Sequence, residues 1–229
     1  MKKMIALFGI IMLALGLTAC GDKEEAAEAP AIDTESIPAI VATVNGEEII
    51  KEHYVAMLEQ QAGMLPLQGI DPGSDEANSY MEMVKEELIN QMINERLLIQ
   101  AANNEGIEIS DADIDAEIES VSARFETKEK LEEALKEEGF TLEDLREDIV
   151  QFKKRDKYLD KKIKLTEITD EELQMAYDEL IVSSESDDQP SFEEAKEQLL
   201  AKLTYEQQQV QMLELLEELR AESEITIHI

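Results

Sequence analysis

Fifty-four carboxylates stand against 21 Lys and Arg in 229 residues, a formal charge of -33, so acid–base chemistry is the first possibility the residue types raise. Their abundance removes the information, because where nearly one residue in four is Asp or Glu a pair at helical spacing reads as a solvated face. The run Asp111-Ala112-Asp113-Ile114-Asp115 alternates acids like the opening of a calcium loop. Its sixth position is Ala116, where such a loop needs Gly, and the run is read as a capped helix start. His53 and His228 have no Cys or second His at metal spacing, so they are read as structural or exposed. No phosphate-binding loop or nucleophile elbow occurs. The residues therefore predict no catalytic group, no metal and no cofactor. Nucleic acid is a poor partner too, since no cluster of Lys and Arg is present to displace counterions from phosphates.

One thiol remains to be placed. Met1-Lys2-Lys3 is a short basic start, residues 4–17 are apolar, and Leu17-Thr18-Ala19-Cys20 follows, the layout of a secretory signal. Fourteen apolar residues fall short of the roughly 20 that a spanning helix wants. Leu17 to Cys20 resembles the bacterial lipobox, in which the Cys is diacylated and becomes the mature N-terminus. The plainer alternative is a free thiol discarded with the leader. Cys20 is the only Cys, so no disulfide is expected. Cutting before it removes only Lys2 and Lys3 of the charged residues, leaving 19 basic against 54 acidic groups, or -35. Two acyl chains suffice to hold a soluble body at a membrane. Residues 20–38 read as an acidic flexible tether; about 18 such residues span roughly 25 Å.

The elements that follow are mostly helical, as nine Gly, five Pro and 4% aromatics predict. Ala39-Ile40-Val41-Ala42-Thr43-Val44, Asn45-Gly46 and Glu47-Glu48-Ile49-Ile50 read as a small hairpin. Glu224-Ile225-Thr226-Ile227-His228-Ile229 alternates with period 2 and is expected to pair with that hairpin. Helices are expected over 51–61, 75–105, from 110, from 127, over about 142–163, over 170–180 and over 191–222, with irregular chain over 62–74. Ser110, Thr127, Thr141 and Thr169 are expected caps, and Gly106 is an expected helix end. On the last helix Phe192, Ala195, Leu199, Leu203, Val210, Leu213, Leu216 and Leu219 share one side.

In three places, and in order, the residues resemble the SurA and PrsA family of exported foldases. These are Ala42-Thr43-Val44-Asn45-Gly46-Glu47-Glu48-Ile49; then Asn94-Glu95-Arg96-Leu97-Leu98-Ile99-Gln100-Ala101-Ala102 with Gly106-Ile107-Glu108-Ile109-Ser110-Asp111; then Glu132-Glu133-Ala134-Leu135, Gly139-Phe140-Thr141 and Leu145-Arg146-Glu147-Asp148-Ile149. Ile168-Thr169-Asp170-Glu171-Glu172-Leu173, Tyr177 and Ser191-Phe192-Glu193-Glu194-Ala195 match the pieces that flank the isomerase domain in longer members. The resemblance implies a mainly α, SurA N-terminal-like chaperone domain over 39–229, its small β element joining the N-terminal hairpin to the C-terminal strand. A parvulin-type peptidyl-prolyl isomerase domain would sit at 181–190, and ten residues cannot fold into one.

The implied function is an ATP-independent holdase or foldase for unfolded exported proteins. It would be lipid-anchored at Cys20 on the extracytoplasmic face of a bacterial membrane. An isomerase of the PrsA type, or a structural lipoprotein with one fixed partner, is the alternative. Flexible thioethers suit surfaces that accept varied apolar segments, so Met57, Met64, Leu65, Met81 and Met83, around the irregular stretch, are the expected client groove, facing the last long helix. Met92, inside a helical stripe, is expected in the core.

Overall fold

Asn45 and Gly46 adopt φ of +51° and +82°, the left-handed pair that a two-residue hairpin turn demands and that Asn and Gly supply at least cost. The computed structural model, which describes residues 33–137, 139–183 and 189–229, places β1 (Ile40–Val44) antiparallel to β2 (Glu47–Ile50) across this turn. Strand β3 (Ile225–Ile227) pairs antiparallel with the other edge of β1, Ala42 opposite Ile227 and Val44 opposite Ile225, giving the order β2-β1-β3. The expected meeting of the hairpin and the terminal strand is thus observed. Asn45 ties it: its side-chain amide donates to Gln100 (2.8 Å) and to Ser223 (3.0 Å), and its carbonyl oxygen accepts from the Glu224 N–H (2.8 Å). The leader, Cys20 and the tether up to residue 32 lie outside the described residues.

Seven helices follow among the described residues: α1 (Lys51–Met64), α2 (Asp75–Asn104), α3 (Asp111–Arg124), α4 (Lys128–Glu137), α5 (Leu142–Lys162), α6 (Asp170–Ser183) and α7 (Phe192–Ala221). Helix α1 runs three residues past its expected end and passes through Gly63, because Ala62 and Leu65 are buried and draw the chain on. A 3-10 turn over Pro66–Gln68 then follows. Gly106, at φ +67°, ends α2 as expected. Ser74 caps α2 and Ser110 caps α3 through side-chain oxygens that accept the Ala77 and Asp113 N–H groups. At the starts of α5, α6 and α7, Thr141 with Asp144, Thr169 with Glu172 and Ser191 with Glu194 bond reciprocally or back to the cap N–H.

The described residues up to Tyr158, together with Leu219–Ile229, form one compact unit; Leu159–Glu218 form a second. The first has two cores. One joins the sheet to α1 and α2 through Val41, Val44, Tyr54, Leu58, Leu65 and Ile93, with Leu219 and Ile225 packed on it. The other joins α3, α4 and α5 through Ile114, Val121, Leu131, Leu135, Leu145 and Ile149. Between them lies α2, where Leu97, Leu98 and Ile99 are buried in succession. The three residues before them each reach a different element. Asn94 accepts from Arg220 (2.8 Å), Glu95 holds Arg155 through both oxygens (2.8 and 2.9 Å), and Arg96 pairs with Glu47 (2.9 Å). The Arg155 guanidinium also lies 4.1 Å over the Phe152 ring, a stacking available to a planar cation.

The second unit has a core of four buried residues, Leu173 and Ala176 from α6 and Ala195 and Leu199 from α7. Phe192 meets Tyr177 edge-on at 5.4 Å, and the Tyr177 hydroxyl donates to the Pro190 carbonyl. The expected one-sided stripe of α7 is therefore interrupted in its middle: Val210 and Leu213 are 55% and 60% exposed, while Leu219 at its far end packs on the core of the first unit. A 14-residue α6 is about 21 Å long against about 45 Å for α7, so it can cover no more than half of it.

Candidate functional site

The chemistry that acidic runs might suggest is used up locally. Asp113 caps and bonds Ser110, and this bond, with Lys157 nearby, holds its carboxyl below the usual range. Asp111 and Asp115 both pair with Arg146. The hydroxyl and N–H groups of Thr169 and Ser191 likewise hold Glu172 and Glu194 low. Among the described residues no group of three or more His, Cys, Asp or Glu is placed to hold a metal ion. His53 is half-buried on α1, and burial, reinforced by the Arg96 cation, lowers its pKa. His228 is exposed and bonds the Thr43 hydroxyl (3.1 Å). Burial pushes the Tyr54 phenol up to about 12 while its hydroxyl donates to the Lys85 carbonyl. His53, His228 and Tyr54 line neither of the two grooves described below.

The five residues expected to form an apolar groove divide. Met64 and Met83 are 42% and 65% exposed, Met57 is half-buried against the first core, and Leu65 and Met81 are buried in that core. Leu65 and Met81 thus do not line a surface; they belong to the first core with Leu58, Ala62 and Ala77. Met92 packs half-buried on the core, in keeping with its expected place. Leu67 in the 3-10 turn is 84% exposed and extends the rim. Sequence reasoning passed over Leu67, although Pro66 and Gly69 on either side signalled a turn that would lift it into solvent.

A second apolar surface lies wholly in the second unit. A groove of about 490 Å³ is lined by Ile168, Met175, Ala176, Leu203 and Val210, with Glu172, Glu179 and Glu206 among its polar members. Its wall is pinned by two glutamines one turn apart on α7. Gln211 accepts from the Lys164 N–H (2.6 Å) and donates to the Lys164 carbonyl (2.8 Å), and Gln207 accepts from the Thr166 N–H (3.1 Å) and donates to its hydroxyl (3.0 Å). The side chains thereby imitate a neighbouring strand for the extended stretch before α6. The signal in the sequence was the mismatch in length between the last two helices, which leaves apolar positions of the longer one without a cover. A further groove of about 520 Å³ between α3 and α5 mixes Lys128 and Arg146 with Asp115, Glu119 and Glu143, and Arg146 there is already paired.

No helix among the described residues is long and apolar enough to cross a membrane. A family model described as the SurA-like N-terminal domain matches residues 1–159, a span that closes one residue beyond Tyr158, where the first unit breaks. The Foldase protein PrsA of Caldanaerobacter subterraneus subsp. tengcongensis is 28% identical over 185 residues, covering 78% of this chain and 52% of that protein. The Chaperone SurA of Chromobacterium violaceum is 28% identical over 136 residues, 59% of this chain and 30% of the relative. The Chaperone SurA of Ralstonia nicotianae is 36% identical over 84 residues, 34% of this chain and 17% of the relative. The chain thus spans about half, or less, of the length of these relatives. With the family model running over the hairpin, the two cores and the helix whose Asn94, Glu95 and Arg96 join three other elements, the chain belongs to the SurA-like N-terminal domain family.

Proposed function

We propose that the protein is an ATP-independent chaperone that holds unfolded exported chains, anchored by a lipid on Cys20 at the extracytoplasmic face of a bacterial membrane. Two kinds of support converge. The relatives it matches are named as a foldase and as chaperones, and large apolar side chains stand in solvent on a body of charge -33. The second observation carries the reading: a surface that leaves Leu67, Met83, Met175, Val210 and Leu213 uncovered is suited to meet apolar chain, while its charge keeps it dispersed. Met64, Met83 and Leu67, with Met57 at their margin and Leu65 and Met81 as their support, form one contact surface; the groove of the second unit is another.

An isomerase reading is weaker, because catalysis of X-Pro rotation needs a shaped pocket around the ring and residues 181–190 offer no room for a further folded domain. The test is suppression of aggregation of a chemically unfolded model client by residues 21–229, beside a proline-limited refolding assay at catalytic amounts. Suppression without acceleration is the expected result; acceleration would install the enzyme reading, and neither effect would remove both. Cys20→Ala expressed in a bacterium should shift the protein from the membrane to the soluble envelope fraction.

A further inference from the structure

The groove of the second unit combines uncharged apolar lining with carboxylates of one sign. Met175 and Val210 in that lining are each 55% exposed, and its charged lining residues are Glu172, Glu179 and Glu206 alone. No Lys or Arg occurs between Lys164 and Lys196, nor between Lys202 and Arg220, so α6 carries no cation, and the cations of α7 nearest the groove are Lys196, paired with Asp170 at 3.2 Å, and Lys202, 3.7 Å from Glu206. Glu172 stays ionised, since the Thr169 hydroxyl and N–H hold its carboxyl low. Glu179 makes no ion pair among the described residues. The wall facing the helices is fastened by the Gln207 and Gln211 amides, so the opening is a standing feature. Its volume falls within the roughly 300–1,000 Å³ over which proteins bury organic ligands.

We propose that this groove takes a short apolar segment of a non-native chain flanked on at least one side by Lys or Arg. The inference rests on the chaperone reading for its biological meaning and on charge complementarity for its chemistry. Apolar side chains of the segment cover Met175 and Val210, and the flanking cations meet Glu179, which is exposed and without an ion pair among the described residues, and Glu206, where they compete with Lys202. Segments flanked by acids are turned away by the same carboxylates, because like charges set face to face cost affinity and slow encounter.

The test uses the chain from residue 21 and three fluorescent peptides with one apolar centre, flanked by Lys, by Ser or by Glu, with binding read by anisotropy. Binding should rank Lys above Ser above Glu. The spread should narrow between ~10 mM and ~1 M salt, over which the screening length falls from roughly 30 Å to roughly 3 Å. Glu179→Gln with Glu206→Gln should weaken the Lys peptide roughly fivefold and leave the Ser peptide unchanged. Met175→Ser with Val210→Ser should weaken all three roughly tenfold. All four positions are solvent-exposed, and circular dichroism confirms the fold of each variant. Equal binding of the three peptides, or binding that neither double variant alters, overturns the proposal. Aggregation assays run in parallel separate it from the chaperone reading. Ranked peptide binding without suppression leaves the groove and sinks the chaperone, whereas suppression untouched by both double variants leaves the chaperone and sinks the groove.

Discussion

The two units of this chain spend their apolar residues in opposite ways. Among the described residues, the first buries 26 apolar residues and exposes five large ones, while the second, Leu159–Glu218, buries four and exposes eight. Composition does not explain the contrast, because Leu, Ile, Val and Met are plentiful in both. Cover does. In the first unit a three-stranded sheet and five helices lie on one another, so each apolar stripe finds a face to meet. In the second, one 14-residue helix and an extended stretch are set against a helix of 30. A unit of that size is marginal on its own surface-to-volume ratio, and what it leaves uncovered is available to a partner. Most of the buried apolar residues sit in the first unit and most of the exposed large ones in the second.

The largest effect that would sharpen this contrast is in the first core. Leu58→Ala, at a position with no exposed area, should cost roughly 2–5 kcal/mol by denaturant unfolding, and a loss under 1 kcal/mol would mean that the core tolerates a hole it is described as filling. Next comes the knot at the hairpin tip. Asn45→Ala removes the acceptor of the Glu224 N–H and the donor to the Gln100 side-chain oxygen and should cost about 0.5–1.5 kcal/mol, with faster hydrogen exchange in β3. In the second unit, Val210→Ser should shift unfolding by no more than about 0.5 kcal/mol, since the side chain is half in water already. A large loss there would show that the face is covered after all and break the comparison.

The smallest effect concerns pH. Burial, with Arg96 adding to it, sets the folded pKa of His53 below 6.5, so the unfolded chain binds that proton more readily. The contribution to stability is whole above pH 6.5 and is lost as pH falls through the lowered value. His53→Gln should flatten that part of the stability profile, and an unchanged slope between wild type and variant would exclude the residue as its source.

What the sequence disclosed follows from how local each cause is. The Asn45-Gly46 turn, the capping hydroxyls of Ser110, Thr141 and Thr169, and the end at Gly106 are settled within four residues, and each was legible. The pairing of β3 was legible as well, because a period-2 strand needs an edge and the hairpin provides one. Whether a given apolar residue faces water was not. Met81 and Met83 differ by two positions on one helix, and Met81 is buried while Met83 is exposed, which depends on where α1 lies across α2. The apolar groove of the second unit was missed for the same reason: its floor draws on α6, α7 and the stretch before them, and the Gln207 and Gln211 amides that shape it look in sequence like part of a solvated polar run.

The pairing of β1 with β3 carries a consequence for the integrity of the chain. Thr43 and His228 touch although 185 positions separate them, and Arg220, Leu219 and Ile225 add their own holds on α2 and its core. The first unit is therefore assembled from two stretches of sequence with the other unit threaded between them. A single proteolytic cut anywhere in that interval would leave two fragments still clasped by a strand, an arginine and a handful of side chains. Such a nicked molecule would migrate as one species in native conditions and as two after denaturation, and the family fold would outlast the break in its own backbone.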